Sequence, residues 1–204
     1  WSVMAKKLFP EQANCISMAL TPMTLTARLI KHHQPGAKVA FIGPCAAKKL
    51  EAMRRTVRSE VDFVLTFEEM AGIFEARHID VNTLKEDPHG VNDASADGRN
   101  FAVSGGVAQA VVNVIKEKYP DREIKVANAE GLSECRKLMM MAKAGKYNGY
   151  LLEGMACPGG CVAGAGTMQS IKKSSVAVNM YAKQAEHQVA TGTHHVAELD
   201  KLVD

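Results

Sequence analysis

The chain has 204 residues, of which 47% are hydrophobic, and it carries a formal net charge of +3. This length and composition allow a buried core in one domain or in two small lobes. The small net charge, the scattered lysines and arginines and an aromatic content of 5% argue against nucleic acid or a membrane surface as partners. No apolar run is long enough to span a bilayer and no leader pattern is evident, so the sequence predicts a cytoplasmic protein.

Four short segments rich in Val, Ile, Phe and Leu are predicted to form buried strands. These segments are 38–43, 61–66, 123–128 and 148–153. Helical patterns occupy 22–33, 46–58, 67–77, 106–118, 133–144 and 168–188. The alternation predicts an α/β fold with a four-stranded parallel sheet flanked by helices.

Local signals refine these boundaries. Thr66 and Ser133 are typical helix N-caps, and the helix that follows Ser133 is expected to stop at Gly145. The polar segment 85–100 is predicted to be a long surface loop. The tail from residue 189 onward, which contains His194 and His195, indicates no more than a polar helix or disorder.

The chain contains five cysteines. An odd count without an export signal argues against a disulfide framework, so the thiols are expected to be buried hydrophobic groups or metal ligands. Cys15 and Cys135 lie in helical patterns without a nearby glycine or second cysteine. Both are therefore predicted to be buried.

Cys45 follows the predicted strand at 38–43 and precedes a predicted helix, in the stretch "FIGPCAAKKLEA". The carboxyl end of a strand is where an open parallel sheet binds its ligand, and a helix N-terminus favours a thiolate. Lys48, one turn later, is suited to neutralising an anionic ligand beside the sulfur. Taken alone, however, this motif is better explained by a buried cysteine followed by an exposed helix face.

Cys157 and Cys161 bracket a Pro-Gly-Gly sequence, and Gly164 and Gly166 follow. Two thiolates at this spacing bind one metal centre only where the backbone bends tightly, which glycine permits. A zinc site is disfavoured because such pairs usually have two intervening residues, and no histidine or second pair lies at a useful distance. A dinucleotide loop is disfavoured because the third glycine is missing. A glycine-rich turn with two incidental thiols is the weaker explanation.

Ser104, Gly105 and Gly106 lead into the predicted helix 106–118. Glycines at a helix N-terminus are typical of anion sites, in which backbone N–H groups bind the ligand. An ordinary turn explains the pattern equally well.

The chain resembles the catalytic domain of FeFe-hydrogenases. The second cysteine motif of that family, Met-Pro-Cys-x-x-Lys-x-x-Glu, is matched from Pro44 to Glu51 by "PCAAKKLE". Its third motif, Glu-x-Met-Ala-Cys-x-x-Gly-Cys-x-x-Gly, is matched by "EGMACPGGCVAG" at 153–164. The likeness covers most of the chain up to the final tail. It implies a main α/β lobe at 38–167, one lobe of the family's large domain with incomplete elements of the other, and a helical tail at 168–204.

The resemblance implies an H-cluster, in which a 4Fe-4S cubane on four cysteines is bridged through one of them to a two-iron unit. Cys45, Cys157 and Cys161 match three of the four ligands, and Cys161 matches the bridging one. Lys48 matches the lysine that hydrogen-bonds a cyanide of the two-iron unit. Ser17 aligns, more loosely, with a serine on the proton path.

The same resemblance assigns four further residues to the surroundings of the cofactor. They are Pro44, Gly105, Gly106 and Met155. It also implies a ferredoxin-type electron donor or acceptor and a preceding part of the same hydrogenase as partners, with no nucleic acid and no membrane.

The chain departs from the family pattern in three places. Trp1 fits the last position of the family's first motif, Cys-Pro-small-Trp, so the fourth cubane ligand is expected just before it. Gly43 stands where catalytic members carry Met, and "AGAGT" at 163–167 replaces the usual Gly-Gly-Gly-Gln-Pro ending. These departures resemble the divergent, sensory-type branch.

The leading hypothesis from the sequence is a C-terminal portion of a divergent FeFe-hydrogenase, whose intact parent interconverts protons and dihydrogen and whose isolated fragment is inactive. Two alternatives are a hydrogen-sensing regulatory hydrogenase and a non-enzymatic iron–sulfur assembly protein of the same family.

Overall fold

The computed structural model describes residues 1–85, 87 and 92–199. The chain forms two compact units, each built from separate stretches of sequence. The first unit comprises residues 1–18, 93–163 and 170–197, and the second comprises 19–92, 164–169 and 198–204. The division that the resemblance implies, a main lobe at 38–167 and a helical tail at 168–204, stays a prediction.

The helices are α1 (Ser2–Leu8), α2 (Pro22–His33), α3 (Ala47–Met53), α4 (Phe67–Ala76), α5 (Ala96–Asn100), α6 (Gly106–Lys118), α7 (Leu132–Lys143), α8 (Ile171–Ala182) and α9 (Val196–Leu199). The strands are β1 (Ala40–Gly43), β2 (Phe63–Thr66), β3 (Lys125–Glu130) and β4 (Tyr150–Met155). Short 3-10 helices span Pro10–Cys15, Val81–Thr83, Cys161–Ala163 and Ala190–Gly192. No helix among the residues that the structure describes is both long and apolar enough to cross a membrane.

The predicted α/β class with parallel strands is confirmed. In the second unit β1 pairs in parallel with β2, and in the first unit β3 pairs in parallel with β4. The four strands thus form two sheets of two strands, and the expectation of one four-stranded sheet is wrong in this respect. Apolar composition identifies a segment as a strand, but it does not say which strand lies beside it.

Two local predictions about helices are wrong. Residues 96–100, expected to be loop, form α5, because Ser95 caps the helix by accepting a hydrogen bond from the Gly98 N–H at 3.1 Å. Tertiary contacts also hold α5, since the buried Arg99 donates to the carbonyl of Tyr181 in α8 at 2.8 Å. Ser133 does not cap α7, whose N-cap residue is Gly131.

The Thr66 cap is confirmed as a capping box. The Thr66 hydroxyl accepts from the Glu69 N–H at 3.2 Å, and the Glu69 carboxylate accepts from the Thr66 N–H at 2.8 Å. Because Thr66 is also the last residue of β2, this box fixes the turn from strand to helix at the carboxyl end of the sheet.

The core of the first unit lies between α1, α7 and the β3–β4 sheet. Cys135 is fully buried there with Ala129 and Leu138, and Trp1 packs against this cluster. The predicted burial of Cys135 is therefore confirmed. The same prediction is wrong for Cys15, which is exposed. Cys15 ends a 3-10 helix of which no residue is buried, so the helical pattern around it is not the edge of a core element.

Candidate metal centre

In the first unit, β3 and β4 end at the same edge because parallel strands run in the same direction. Their last residues, Glu130 and Met155, lie opposite each other in the ladder. The Gly131 N–H donates to the Met155 carbonyl at 2.8 Å, which extends the pairing by one bond. The Cys157–Cys161 loop therefore emerges from the carboxyl end of a parallel pair, where α/β sheets place their ligand sites.

Hydrogen bonds from backbone amides hold the Cys157–Cys161 loop in shape. The Gly159 N–H donates to the Glu130 carboxylate at 2.7 Å, and the Gly160 N–H donates to the Cys157 carbonyl at 3.0 Å. Gly159 and Gly160 have φ values of +90° and +95°, a conformation that favours glycine. Both cysteine side chains are half-buried at the ends of this turn.

Gly160 also allows the loop to lie directly against the preceding turn. A Cβ at this position would lie 2.6 Å from the Ser104 nitrogen and 2.7 Å from the Ala102 oxygen. The Ser104 N–H donates to the Gly159 carbonyl at 3.1 Å. A residue larger than glycine at position 160 would therefore prevent the close contact between the loop and this turn.

Glu153 of the third motif is buried, and its carboxylate is bonded to the start of α6. One carboxylate oxygen accepts from the Gly105 N–H and the other from the Ala108 N–H, both at 2.8 Å. Glu153 therefore caps the N-terminus of α6, whose N-cap residue, Gly105, has no side chain for this purpose. This role is not predicted from the sequence, because the capped helix lies 45 to 48 residues earlier in the chain.

The Glu153 contact bears on the predicted role of Gly105 and Gly106. The Gly105 N–H is used by Glu153, and the Gly106 N–H donates to the Val103 carbonyl at 3.0 Å. Both amides thus have partners inside the protein. Their assignment to cofactor binding stays a prediction.

In the second unit, Pro44 and Cys45 lie between the end of β1 and the start of α3. The Pro44 carbonyl accepts from the Gly166 N–H at 2.9 Å, and the Gly166 carbonyl accepts from the Glu68 N–H at 3.2 Å. The glycine-rich segment that follows Cys161 in sequence is thereby bound beside Cys45. Gly166 lies so close to the Thr66 side chain that a Cβ would overlap it.

Lys48 is oriented by its neighbours. Its Nζ lies 2.7 Å from Glu51 Oε2, and both side chains are largely buried, with 21% and 23% exposed. The Thr21 hydroxyl donates to Glu51 Oε1, and the fully buried Thr24 hydroxyl lies 3.5 Å from the same oxygen. The spacing from Lys48 to Glu51 indicates this pair in the sequence, but nothing there indicates the two threonines.

The predicted site residues divide between the two units. The first unit holds Ser17, Gly105, Gly106, Met155, Cys157 and Cys161, and the second holds Pro44, Cys45 and Lys48. Within the first unit, the cysteine loop, Met155 and the turn at 102–106 are adjacent through the hydrogen bonds given above. Ser17 is exposed in the irregular segment after the first 3-10 helix.

The donor set fits an iron–sulfur group. All five cysteines lie in the described part of the chain and are thiols, and Cys45, Cys157 and Cys161 are each partly accessible. Thiolates are the usual ligands of iron–sulfur clusters. Cys135 is unsuited to this role, because burial raises the pKa of its thiol and its Sγ points at the carbonyls of Ala129 and Met155.

Comparison with known proteins identifies the family. Residues 1–165 match the family model for the iron-only hydrogenase large subunit, C-terminal domain. The chain belongs to this family. Its hydrogenase fold is supported independently by an FeFe-hydrogenase from Chlamydomonas reinhardtii, which has a TM-score of 0.75 at 21% identity and covers 100% of this chain and 69% of that one.

Two curated relatives are similar to this chain over part of their length. The periplasmic Fe hydrogenase large subunit of Nitratidesulfovibrio vulgaris is 29% identical over 81% of this chain and 49% of its own length. The human nuclear prelamin A recognition factor is 28% identical over 64% of this chain and 36% of its own length. The chain thus spans half or less of the length of these relatives. The predicted cytoplasmic location stays a prediction.

Proposed function

We propose that this chain supplies Cys45, Cys157 and Cys161 as three ligands of the 4Fe-4S cubane of an H-cluster. The activity proposed for the whole protein is the reversible reduction of protons to dihydrogen. Cys161 would be the ligand shared with the two-iron unit. Family membership, the thiol donor set and the position of the Cys157–Cys161 loop at the end of a parallel sheet support this function.

The contact between Trp1 and β4 is the observation that carries the proposal. Trp1 matches the final residue of the family's first cysteine motif, and its ring lies against Gly154, where a Cβ would come within 2.8 Å of it. Gly154 is three residues before Cys157. In the family's first motif the cysteine stands three residues before the Trp, a distance of at most about 10 Å along an extended chain. The contact between Trp1 and Gly154 therefore supports a site that the first and third motifs would share.

The chain's own residues bind, orient and shield the group. When bound, the cluster supplies the electron transfer and the hydrogen chemistry, while the protein supplies ligands, hydrogen bonds and exclusion of water. Lys48 presents an ammonium whose direction Glu51 fixes, with two further N–H donors left for an anionic ligand. Thr21 and Thr24 hold Glu51 in turn.

The chain alone is proposed to be inactive, because it offers three matched cysteines where the cubane needs four. The remaining partners are the rest of the same hydrogenase and a ferredoxin-type donor or acceptor. Gly43, which replaces the usual Met, is compatible with slow turnover of the sensory type.

The cysteine assignment is tested in the intact hydrogenase by iron and sulfide quantification and electron paramagnetic resonance. Cys45→Ser, Cys157→Ser and Cys161→Ser are each expected to lose cluster iron, and C161S to lose the two-iron unit above all. The matched control is Cys15→Ser, because Cys15 is an exposed thiol outside the motifs. Wild-type iron content in C157S, or equal losses in C15S, would contradict the assignment.

A second candidate is a non-catalytic iron–sulfur protein, favoured by the match to a nuclear prelamin A recognition factor, whose name indicates no hydrogenase activity. Hydrogen evolution from a reduced dye, together with infrared bands of metal-bound carbonyl and cyanide, separates the two candidates. The proposed hydrogenase shows both signals, and a protein that binds only a cubane shows neither.

A further inference from the structure

Asp93, His194 and His195 form a cluster of metal-ligating side chains in the first unit, outside the cysteine motifs. Asp93 Oδ2 lies 2.7 Å from His195 Nε2 and 3.6 Å from His194 Nε2. One ligand atom from each of the three residues lies within 4.8 Å of the other two. The two imidazole rings are side by side, with centroids 3.9 Å apart.

The convergence of two consecutive histidines depends on the local backbone. In an extended strand successive side chains point to opposite sides, so neighbours do not share a ligand. Here residues 194 and 195 form a turn directly before α9. This turn brings both rings to the same side, facing the carboxylate of a residue about a hundred positions earlier.

The segments that carry the cluster are both fixed to the first unit. Two residues after Asp93, Ser95 caps α5. The next two residues pair with the chain that leads to the histidines, because the Ala96 N–H donates to the His187 carbonyl at 2.8 Å and the Asp97 N–H to the Gln188 carbonyl at 3.1 Å. The Thr191 hydroxyl donates to Glu117 of α6. The positions of Asp93 and the two histidines are therefore fixed by hydrogen bonds of their flanking segments as well as by the contacts within the cluster.

The geometry suits a metal ion better than a hydrogen-bonded pair alone. A proton between His195 and Asp93 satisfies their 2.7 Å contact, but His194 Nε2 lies beyond hydrogen-bond distance from the same oxygen. A tetrahedral zinc ion, with bonds of about 2.0–2.2 Å, separates its ligand atoms by about 3.4 Å. The spacings in the cluster bracket this value, so small rotations of the side chains suffice.

We propose that Asp93, His194 and His195 bind one divalent transition-metal ion, with zinc as the best fit. Two imidazoles and a carboxylate are a donor set that suits zinc and its first-row neighbours. The side chains are 38%, 67% and 44% exposed, so water completes the coordination. The bound ion ties the C-terminal segment to the chain before α5, and it does so independently of the cysteine cluster.

The test is a zinc titration of the full 204-residue chain, followed through the side-chain nitrogen resonances of its seven histidines. The resonances of His194 and His195 are expected to shift together and to saturate at one zinc per chain, and the thermal midpoint is expected to rise. Zinc that binds only through thiols leaves these two imidazole signals in place, and that result would overturn the proposal.

Variants separate ligand binding from a change in charge. Loss of a residue that merely supports a ligand weakens metal binding about 10–100-fold, so Asp93→Asn is expected to weaken zinc binding at least about tenfold. Glu186→Gln is the matched control, because it removes the same charge from an exposed position on the segment that leads to the histidines. His194→Gln is compared with His187→Gln in the same way. Equal affinities in either pair would rule the site out.

Discussion

Replacement of Glu153 tests how the third cysteine motif is built into the fold. Glu153 is a buried carboxylate at the edge of the β3–β4 sheet, and it accepts backbone hydrogen bonds from Gly105 and Ala108 at 2.8 Å each. Glu153→Ala removes both acceptors and leaves two amides without their partner at the start of α6. Glu153→Gln keeps the shape but replaces one acceptor oxygen with a donor that faces an N–H group.

The expected magnitude follows from these two bonds. A hydrogen bond to a charged group contributes about 1.5–3 kcal/mol, so E153A is expected to lower the free energy of unfolding by about 3–6 kcal/mol. E153Q loses one bond and the charge that favours a helix N-terminus, which gives a loss of about 2–4 kcal/mol. Glu130→Gln is the control, because Glu130 is exposed and accepts a single bond from Gly159. Its expected cost is about 1 kcal/mol or less.

The assay is a denaturant titration combined with amide hydrogen exchange. The exchange of the Gly105 and Ala108 amides is expected to accelerate in E153A before other amides of α6 respond. A loss of less than about 1 kcal/mol in E153A, with unchanged exchange at these two amides, would refute the assignment of Glu153 as the cap of α6.

Three further predictions concern packing, pH and thiol reactivity. Gly160→Ala is expected to destabilise the first unit by about 2–4 kcal/mol, because the added Cβ would lie 2.6 Å from a backbone nitrogen. Gly149→Ala, with φ of +78° but open space around it, is expected to cost only about 1 kcal/mol in the same denaturant titration, and equal losses would contradict the packing argument. A backbone N–H and two lysines hold the pKa of the Asp62 carboxyl below its usual value. Its stabilising contribution is therefore present above the unfolded-state pKa of about 3.9 and is lost as the pH falls through the lower folded-state value. Asp62→Asn should reduce the loss of thermal stability at acid pH, measured by thermal melts as a function of pH. An unchanged loss would show that the contacts of the Asp62 carboxylate contribute nothing to stability. In timed alkylation followed by mass spectrometry, the exposed Cys15 should react at once, whereas Cys135 should react only on unfolding. Rapid labelling of Cys135 in the folded protein would show that its thiol is accessible to solvent, which contradicts the burial seen in the structure.

Much of the secondary structure follows from the sequence because its causes are local. The apolar periodicity predicts α2 at 22–33 and α6 at 106–118, and the structure has the same bounds. Strand positions agree to within two residues for the same reason. By contrast α5 escapes detection, since its polar composition resembles a loop and its stability depends on Arg99 contacting Tyr181, 82 residues later.

For the candidate site, sequence and structure contribute different things. The spacing of Cys45, Cys157 and Cys161 within long motifs predicts the family, because each motif fixes residue types at short local intervals. The sequence leaves open why Glu153 belongs to its motif, since that carboxylate acts on a helix 45 to 48 residues earlier. The contacts of Thr21 and Thr24 with Glu51 are likewise not predictable from the sequence, because they join residues about 30 positions apart.

The sequence by itself thus determined the four strands, most of the longer helices and the resemblance to the family, and it predicts which thiols serve as ligands. Only the tertiary structure decided that the strands pair two by two, that Trp1 lies on Gly154, and that Asp93 meets two histidines from the far end of the chain. The physical reason is the range of the interactions. Backbone hydrogen bonds of a helix and side-chain periodicity act over a few residues, whereas strand pairing, close packing and ligand convergence join residues that the chain itself keeps far apart.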